Sequence, residues 1–244
     1  MSPPLPRPNP LTGKVGEVRS AINTRRVLVV DIGGTHVKLY STGRRGQVKI
    51  ASGPTMTPKR LAKAVRAATD GWSYDVVSIG YPGPVVHGRP LRDPAHLGEG
   101  WVGFDFQKAF GRPVKVLNDA AMQALGSYRG GRMLFLGLGT GLGSALIVDG
   151  VLEPLELGHL PYKKGKTFED FVGTAALERL GEKKWARNVL DVVERLKDAL
   201  QPEYVVIGGG NARRIRGLPR RTFLGDNLDA RAGGLRLWRS HPAG

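Results

Sequence analysis

The chain has 244 residues, 41% of them apolar, which is enough to bury a core in one large domain or two small ones. It contains no cysteine, so disulfides, thiol nucleophiles and thiolate zinc sites are excluded. Lys and Arg number 37 against 21 Asp and Glu, a formal charge of +16 that attracts polyanions over the whole surface. Nucleotides, polyphosphate and nucleic acid are all candidates on that ground, and so is solvated charge with no ligand. The basic residues cluster at Lys163, Lys164 and Lys166, at Lys183, Lys184 and Arg187, and at Arg213, Arg214, Arg216, Arg220 and Arg221. They lack the interleaved aromatics of a single-strand binding platform, so nucleic acid is not the expected partner. No run approaches the length of a membrane span and the N-terminus has no apolar signal core, so a soluble cytoplasmic protein with no membrane partner is expected.

Residues 1–25 hold five prolines, several basic residues and no apolar periodicity, and read as a flexible arm. A first strand is expected from Arg26 to Val30, ending at Asp31, with a Gly33-Gly34-Thr35 turn and a hairpin partner from His36 to Tyr40. Gln47 to Ala51 adds a third strand. Thr57 and Pro58 are an N-cap and a first-turn proline, and Leu61, Ala62, Val65 and Ala68 then share one helical face until Asp70-Gly71. Asp75 to Ile79 returns as a strand into Gly80-Tyr81-Pro82-Gly83-Pro84, either a simple turn or one whose glycines admit a substrate close to the backbone. His87 to Trp101 is irregular and suits a surface loop over a site.

A short helix from Phe104 to Phe110 leads to a strand from Val114 to Leu117, then Asn118-Asp119 and a helix from Ala120 to Tyr128. A carboxylate where a strand meets a helix has two readings. In an open α/β sheet the carboxyl ends of strands face the ligand crevice, so Asp119 points at a ligand; equally, Asp is a favoured helix N-cap.

Residues 133–150 place Gly137, Gly139, Gly141 and Gly143 between two apolar runs, a hairpin read as phosphate-binding. The glycines are expected to reach φ > 0 and bring N–H groups to an anion, with hydroxyl donors from Thr140 and Ser144. This repeats the device at residues 27–43, and two such units suggest a duplicated α/β domain with a ligand held between the copies. Glu156 and His159 then stand three apart around a glycine, as a hydrogen-bonding pair for a polyhydroxylated ligand or as a partly buried ion pair.

Thr167 to Asp170 opens a helix as a capping box, which explains Asp170 and leaves Glu169 unexplained. Trp185, Val189, Val193, Leu196 and Leu200 mark an amphipathic helix ending near Pro202. Tyr204 to Ile207 is a buried strand followed by Gly208-Gly209-Gly210-Asn211, residues 213–222 are basic and irregular, and Asn227 to Trp238 is a short helix weakened by Gly233-Gly234.

Five motifs, Asp31 to Thr35, Asn118-Asp119, Gly137 to Gly143, Glu156 to His159 and Gly208 to Asn211, in this order and at these separations, resemble the ROK family of sugar kinases and repressors over roughly residues 26–240. The compact, cysteine-free pattern is most similar to the polyphosphate glucokinase branch. The resemblance implies an α/β, actin-like and hexokinase-like (ribonuclease H-like) two-domain fold with a central cleft. It implies an N-terminal domain at 26–118, a C-terminal domain at 119–222, and a segment at 223–244 that packs back on the first domain. A homodimer is within the family's range.

Residue by residue, the resemblance implies that Asp31, Gly33, Gly34 and Thr35 form the first phosphate loop, with Asp31 placing Mg²⁺ through water and Lys38 adding charge. Gly139, Thr140 and Gly141 form the second loop around the β- and γ-phosphates. Gly208, Gly209, Gly210 and Asn211 border the nucleoside when ATP is the donor. Asp119 is the general base, and Asn118, Glu156, His159 and Glu169 hydrogen-bond the sugar. The implied reaction is phosphoryl transfer from polyphosphate or ATP to a hexose, glucose to glucose 6-phosphate, with domain closure excluding water.

Two departures from the family pattern qualify this. The Cys-rich zinc motif that many members carry is missing from Leu160 to Lys166, so no structural zinc is expected, and His96 stands where a sugar-contacting asparagine precedes the Gly-Trp pair, here Gly100-Trp101. The rival reading is a catalytically silent sugar-binding or regulatory protein. The family's repressors carry a helix-turn-helix module for which the 25 residues before the first strand are too few.

Overall fold

The computed structural model describes residues 25–226 and 229–238. The proline-rich arm lies outside them except for Arg25, as does the start of the last helix at 227–228. The described residues fall into two compact units, one of residues 25–122 with 230–238, the other of residues 123–226 with Asp229.

In the first unit the elements are β1 (Val27–Ile32), β2 (His36–Ser41), β3 (Val48–Ala51), α1 (Pro58–Ala68), β4 (Val76–Tyr81), β5 (Val85–Val86), β6 (Arg89–Pro90), α2 (Phe106–Phe110), β7 (Val114–Asn118) and the start of α3 (Asp119–Ser127). The second unit holds the rest of α3, then β8 (Arg132–Leu138), β9 (Leu142–Val148), β10 (Val151–Leu155), α4 (Glu169–Val172), α5 (Thr174–Leu180), α6 (Glu182–Leu200), β11 (Tyr204–Gly208) and β12 (Thr222–Leu224). The last helix, α7 (Asp229–Arg236), begins in the second unit and continues in the first.

The two main sheets repeat one plan. In the first the order is β3-β2-β1-β4-β7, and in the second it is β10-β9-β8-β11-β12. Each starts with an antiparallel meander of three strands and continues with parallel neighbours. The duplication expected from the two glycine-bearing hairpins is thus present in the topology.

Four strands escape the sequence reading: the two-residue β5 and β6, paired with each other around the start of the stretch expected to be irregular, and the two edge strands of the second sheet, β10 and β12. β10 has an exposed edge and contains Pro154, which an edge strand tolerates because its N–H is not required by a ladder. β12 is three residues inside a basic stretch and pairs with β11.

Local chemistry accounts for the expected elements. Thr57 caps α1 by accepting from Arg60 N at 3.3 Å, and Leu61, Ala62 and Val65 are buried beneath the helix. α6 buries Trp185, Val189, Val192, Val193 and Leu196 against Leu134, Leu136, Val205 and Ile207, and the Trp185 indole donates to Val172 O at 2.7 Å. The irregular run before Trp101 is pinned by Asp93, which accepts from Gly100 N at 3.1 Å and Trp101 N at 2.8 Å. Those bonds hold the Asp93 carboxyl below the usual range. Trp101 is fully buried between Tyr81 and Phe106. The strand expected to end at Ile79 continues through Gly80 and Tyr81, so the turn begins only at Pro82.

α7 shows why Gly233-Gly234 does not break a helix here. A Cβ at Gly234 would come within 2.5 Å of the Val29 side chain, so glycine lets the helix approach β1 closely. Ser78 on β4 is completely buried and donates to Gly234 O at 2.6 Å, and it accepts from the Trp238 indole at 2.9 Å. Ser78→Ala leaves the carbonyl of Gly234 without this donor in an apolar setting. The expected result is a loss of about 1–3 kcal/mol of stability, read as a lower denaturation midpoint; an unchanged midpoint would mean that this contact does not anchor α7.

Candidate functional site

In the first unit the carboxyl ends of β1, β4 and β7 come together, because these strands are parallel neighbours in register. Asp31 pairs with Gly80, Gly80 with Leu117, and Tyr81 with Asn118. Asp31 and Asp119 therefore stand at the same end of one sheet, with β4 between them. That is the end at which open α/β sheets bind ligands.

Asp31 is only 7% exposed and faces Lys38 across the hairpin, with Lys38 Nζ 3.4 Å from Oδ2. Burial pushes its carboxyl above the ordinary range, and Lys38 works against that rise. The Gly33-Gly34-Thr35 turn follows directly. Gly33 N donates to His36 O at 3.0 Å, and a Cβ on Gly33 would lie 2.9 Å from that same oxygen. Ser52, which the sequence did not single out, braces the turn by donating from Oγ to Gly33 O at 2.5 Å and from its N–H to Thr35 O at 2.9 Å. Its only sequence signal is its place directly after β3. His96 lies against the same turn, its Cβ 3.5 Å from where a Gly34 Cβ would be.

At the end of β7 the helix cap belongs to Asn118, which accepts from Ala121 N at 3.1 Å through Oδ1 and donates to Gly83 O at 3.1 Å through Nδ2. Asp119 is the first residue of α3, half-buried, and accepts from Ala120 N at 2.8 Å. Negative charge is favoured in the first turn of a helix by its unpaired N–H groups. The alternative reading of Asp119 as the N-cap is thereby taken over by its neighbour.

In the second unit the β8–β9 turn carries Gly139, Thr140 and Gly141. None of Gly137, Gly139, Gly141 and Gly143 adopts a positive φ, contrary to expectation. Glycine serves close approach instead: a Cβ on Gly141 would collide with the Glu169 carboxylate, while the space beside Gly139 is open. Ser144 is likewise not a ligand donor. Its hydroxyl is buried, donates to Leu155 O at 2.8 Å and accepts from Leu157 N at 3.1 Å.

The positive φ occurs at Gly209, at +84°, where a Cβ would lie 2.5 Å from Leu138 O. Gly208 packs on the Phe135 ring, and the space beside Gly210 is open. Asn211 N donates to Leu138 O at 3.1 Å, and its Nδ2 donates to Thr174 Oγ1 at 2.9 Å. Thr174 in turn donates to Gly139 O from both Oγ1, at 2.8 Å, and N–H, at 3.0 Å. Thr174, also missed from the sequence, ties the Gly208–Asn211 segment to the phosphate-loop candidate. Its signal is a hydroxyl after a glycine at the start of an apolar helix.

His159, at the end of a 3₁₀ turn over Leu157–His159, places Nε2 3.7 Å from Glu169 Oε1. Gly158 between Glu156 and His159 is buried, and a Cβ there would lie 2.9 Å from Leu142 O and 3.3 Å from Glu169 Oε2. His159, Glu169 and Gly141 are thus brought together, with the exposed Glu156 at the start of the same turn. Asp170 accepts from Thr167 N at 2.8 Å and Oγ1 at 2.9 Å, the structural role expected of it.

Among the described residues no cluster of three or more His, Cys, Asp or Glu could hold a metal, and no helix is long and apolar enough to cross a membrane.

The chain is similar in sequence and in fold to several known proteins. A family model described as "ROK family" matches residues 27–165. A polyphosphate glucokinase from Mycobacterium tuberculosis (strain ATCC 25618 / H37Rv) is 29% identical over 223 residues, covering 82% of this chain and 83% of that protein. The crystal structure of an inorganic polyphosphate/ATP-glucomannokinase from Arthrobacter sp. strain KM superposes with a TM-score of 0.73 at 27% identity, covering 86% of this chain and 96% of the other. A ROK family glucokinase from Streptomyces griseus, in complex with glucose and AMPPNP, shares the fold at 20% identity with a TM-score of 0.68, covering 86% and 97%. The fold is the actin-like, hexokinase-like α/β fold.

The buried Asp31 has a consequence for stability. Its folded pKa lies above the unfolded value of about 4, so between the two values the folded chain holds more protons than the unfolded one. Stability therefore falls as pH rises through that window, and the loss is complete above it. Asp31→Asn removes this cost and is expected to melt above wild type at pH 7, with the advantage shrinking as pH is lowered towards 4. A variant that melts no higher than wild type at pH 7 would show that the Lys38 pair outweighs the burial.

Proposed function

The chain belongs to the ROK family, and from that premise we propose that it is a hexokinase-type sugar kinase moving a phosphoryl group from polyphosphate or ATP to a hexose, glucose to glucose 6-phosphate. The observation that carries the reading is the pairing of two unlike carboxylates at one end of one sheet. One, Asp31, is buried beside Lys38 at the end of β1, and the other, Asp119, opens α3 after β7.

In this reading Asp119 takes the proton of the attacking sugar hydroxyl as the new oxygen–phosphorus bond forms, the bond from the terminal phosphorus to its bridging oxygen breaks, and the shortened donor leaves with that oxygen. The turns Gly33–Thr35 and Gly139–Gly141 receive phosphate oxygens on backbone N–H groups, with Lys38 adding positive charge. Where ATP is the donor, Gly208, Gly209, Gly210 and Asn211 border its nucleoside. Glu156, His159 and Glu169 accept from and donate to sugar hydroxyls, each of which can do both. Asn118 joins them, because its amide has two N–H donors and two acceptor lone pairs, and the two bonds to Gly83 and Ala121 do not exhaust these.

A lone buried carboxylate fits Mg²⁺, which takes one or two carboxylates and completes its shell with water and donor phosphates. Asp31 would hold it through water, and the ion when bound would neutralise charge on the donor.

The polyphosphate named for the relatives suits a chain of formal charge +16, since neutralising many phosphates releases counterions. Glucose 6-phosphate formation with Mg²⁺ is the deciding assay, run in parallel with ATP and with long-chain polyphosphate. Polyphosphate is expected to be the better donor, with activity falling steeply as salt is raised; activity with ATP alone would detach the surface charge from the donor. Sugar binding without transfer from either donor would favour the silent sugar-binding reading. Asp119→Asn keeps size and helix start, and it is expected to lower turnover by about two to four orders of magnitude while sugar binding stays measurable. Normal turnover in that variant would sink the assignment.

A further inference from the structure

His159 and Glu169 stand at the two ends of a closed loop. Phe168 N donates to Leu160 O at 3.0 Å, Pro161 and Thr167 form an antiparallel bridge, and Tyr162 N donates to Lys166 O at 2.8 Å. Lys166 N closes the tip on Lys163 O at 3.0 Å, and the two central residues, Lys164 and Gly165, have φ of 55° and 69°. Residues 160–168 are therefore a miniature hairpin with a two-residue turn of the primed kind. An isolated hairpin is at best marginally stable, and Lys164 sits in the left-handed region that costs any residue with a Cβ. The hairpin must be held from outside itself.

Tyr162 does the holding. Its ring stands edge-on to Phe168 and to Phe171, with centroids 5.2 Å away in each case. Its hydroxyl donates to Asp191 Oδ2 on α6 at 2.5 Å. The other charged groups about this contact are Arg195, with Nε 3.0 Å from Asp191, and Lys163, with Nζ 3.5 Å from it. Both cations also lie over the Tyr162 ring. α6 is fixed to the sheet by Trp185, Val189, Val192 and Val193, so the hydroxyl, beside the Lys163 ion pair and the packing of the Tyr162 ring, links the loop to a rigid helix.

The two groups at the loop ends are not held by burial. The His159 and Glu169 side chains are 51% and 40% exposed, and 3.7 Å is too long for a hydrogen bond between them. Their spacing is set by the backbone that carries them.

We propose that Tyr162, acting through Asp191, is a positioning residue for hexose, fixing the hairpin that spaces His159 and Glu169. The inference rests on the reading of these two groups as sugar contacts.

The test uses the full-length chain with glucose as probe, measured by direct binding and by steady-state kinetics. Tyr162→Phe keeps the ring and removes only the hydroxyl. It is expected to raise the glucose dissociation constant and KM about tenfold, the size of one lost hydrogen bond to a charged group, with donor KM unchanged and the melting temperature within a few degrees of wild type. Asp191→Asn still offers an oxygen to the hydroxyl and is expected to keep most of the affinity, whereas Asp191→Ala is expected to behave as Tyr162→Phe does. Equal glucose affinity in wild type and Tyr162→Phe overturns the proposal, and so does an equal rise in donor KM. If wild type binds glucose but Glu169→Gln does not weaken it, or if wild type binds no hexose, the reading of the site itself has failed and takes this inference with it.

Discussion

Each unit depends on a register, the alignment of an antiparallel hairpin with the parallel strand beside it. In the first, Asp31 is opposite Lys38 on one side and Gly80 on the other. A slip of one residue would turn Asp31 to the other face of the sheet and take it from Lys38, because side chains alternate with a period of two. In the second, Gly143, Gly137 and Gly208 fall in one row across β9, β8 and β11. Gly208 lies against Phe135, and the backbone just beyond it meets the end of β8 at Leu138. The apolar cores on each side of the sheets hold these registers, and the turns at the strand ends inherit their positions from them.

The turns are stiffened by short polar links rather than by their own conformation. Ser52 holds the first glycine turn by two hydrogen bonds, and Thr174 holds the second by two more, with Asn211 behind it. Backbone carbonyls used in this way are satisfied within the protein, so the turn is set before a ligand arrives. Glycine is required where backbone occupies the space of a side chain, His36 O beside Gly33 and Leu138 beside Gly209, whereas at Gly141 it leaves room for the flexible end of the Glu169 side chain.

The two ends of the proposed reaction are built differently. The phosphate side uses a carboxylate buried at a cost to stability, which function can justify because such a group responds strongly to an incoming cation. The sugar side uses exposed groups whose order comes from the chain on which they stand. On our proposal that order comes from the hairpin with the left-handed Lys164 at its tip, which Tyr162 ties to Asp191.

The sequence by itself determined most of the elements, because hydrophobic period, caps and glycine turns are local: Thr57-Pro58 starts α1, the Trp185 to Leu196 stripe makes α6, and the repeated strand-turn-strand device marks the duplicated sheet. The five motifs were legible for the same reason, as short fixed patterns. Only the tertiary structure decided which glycine takes a positive φ, that Ser144 is a buried brace, that Asn118 rather than Asp119 caps α3, and that Gly234 is a contact with Val29 rather than a helix breaker. Nor could the sequence reveal Ser52, Thr174, or Tyr162 with Asp191, since each acts on a partner 19 to 35 positions away. Their roles exist only once packing has brought distant strands and helices side by side, and no local pattern encodes that.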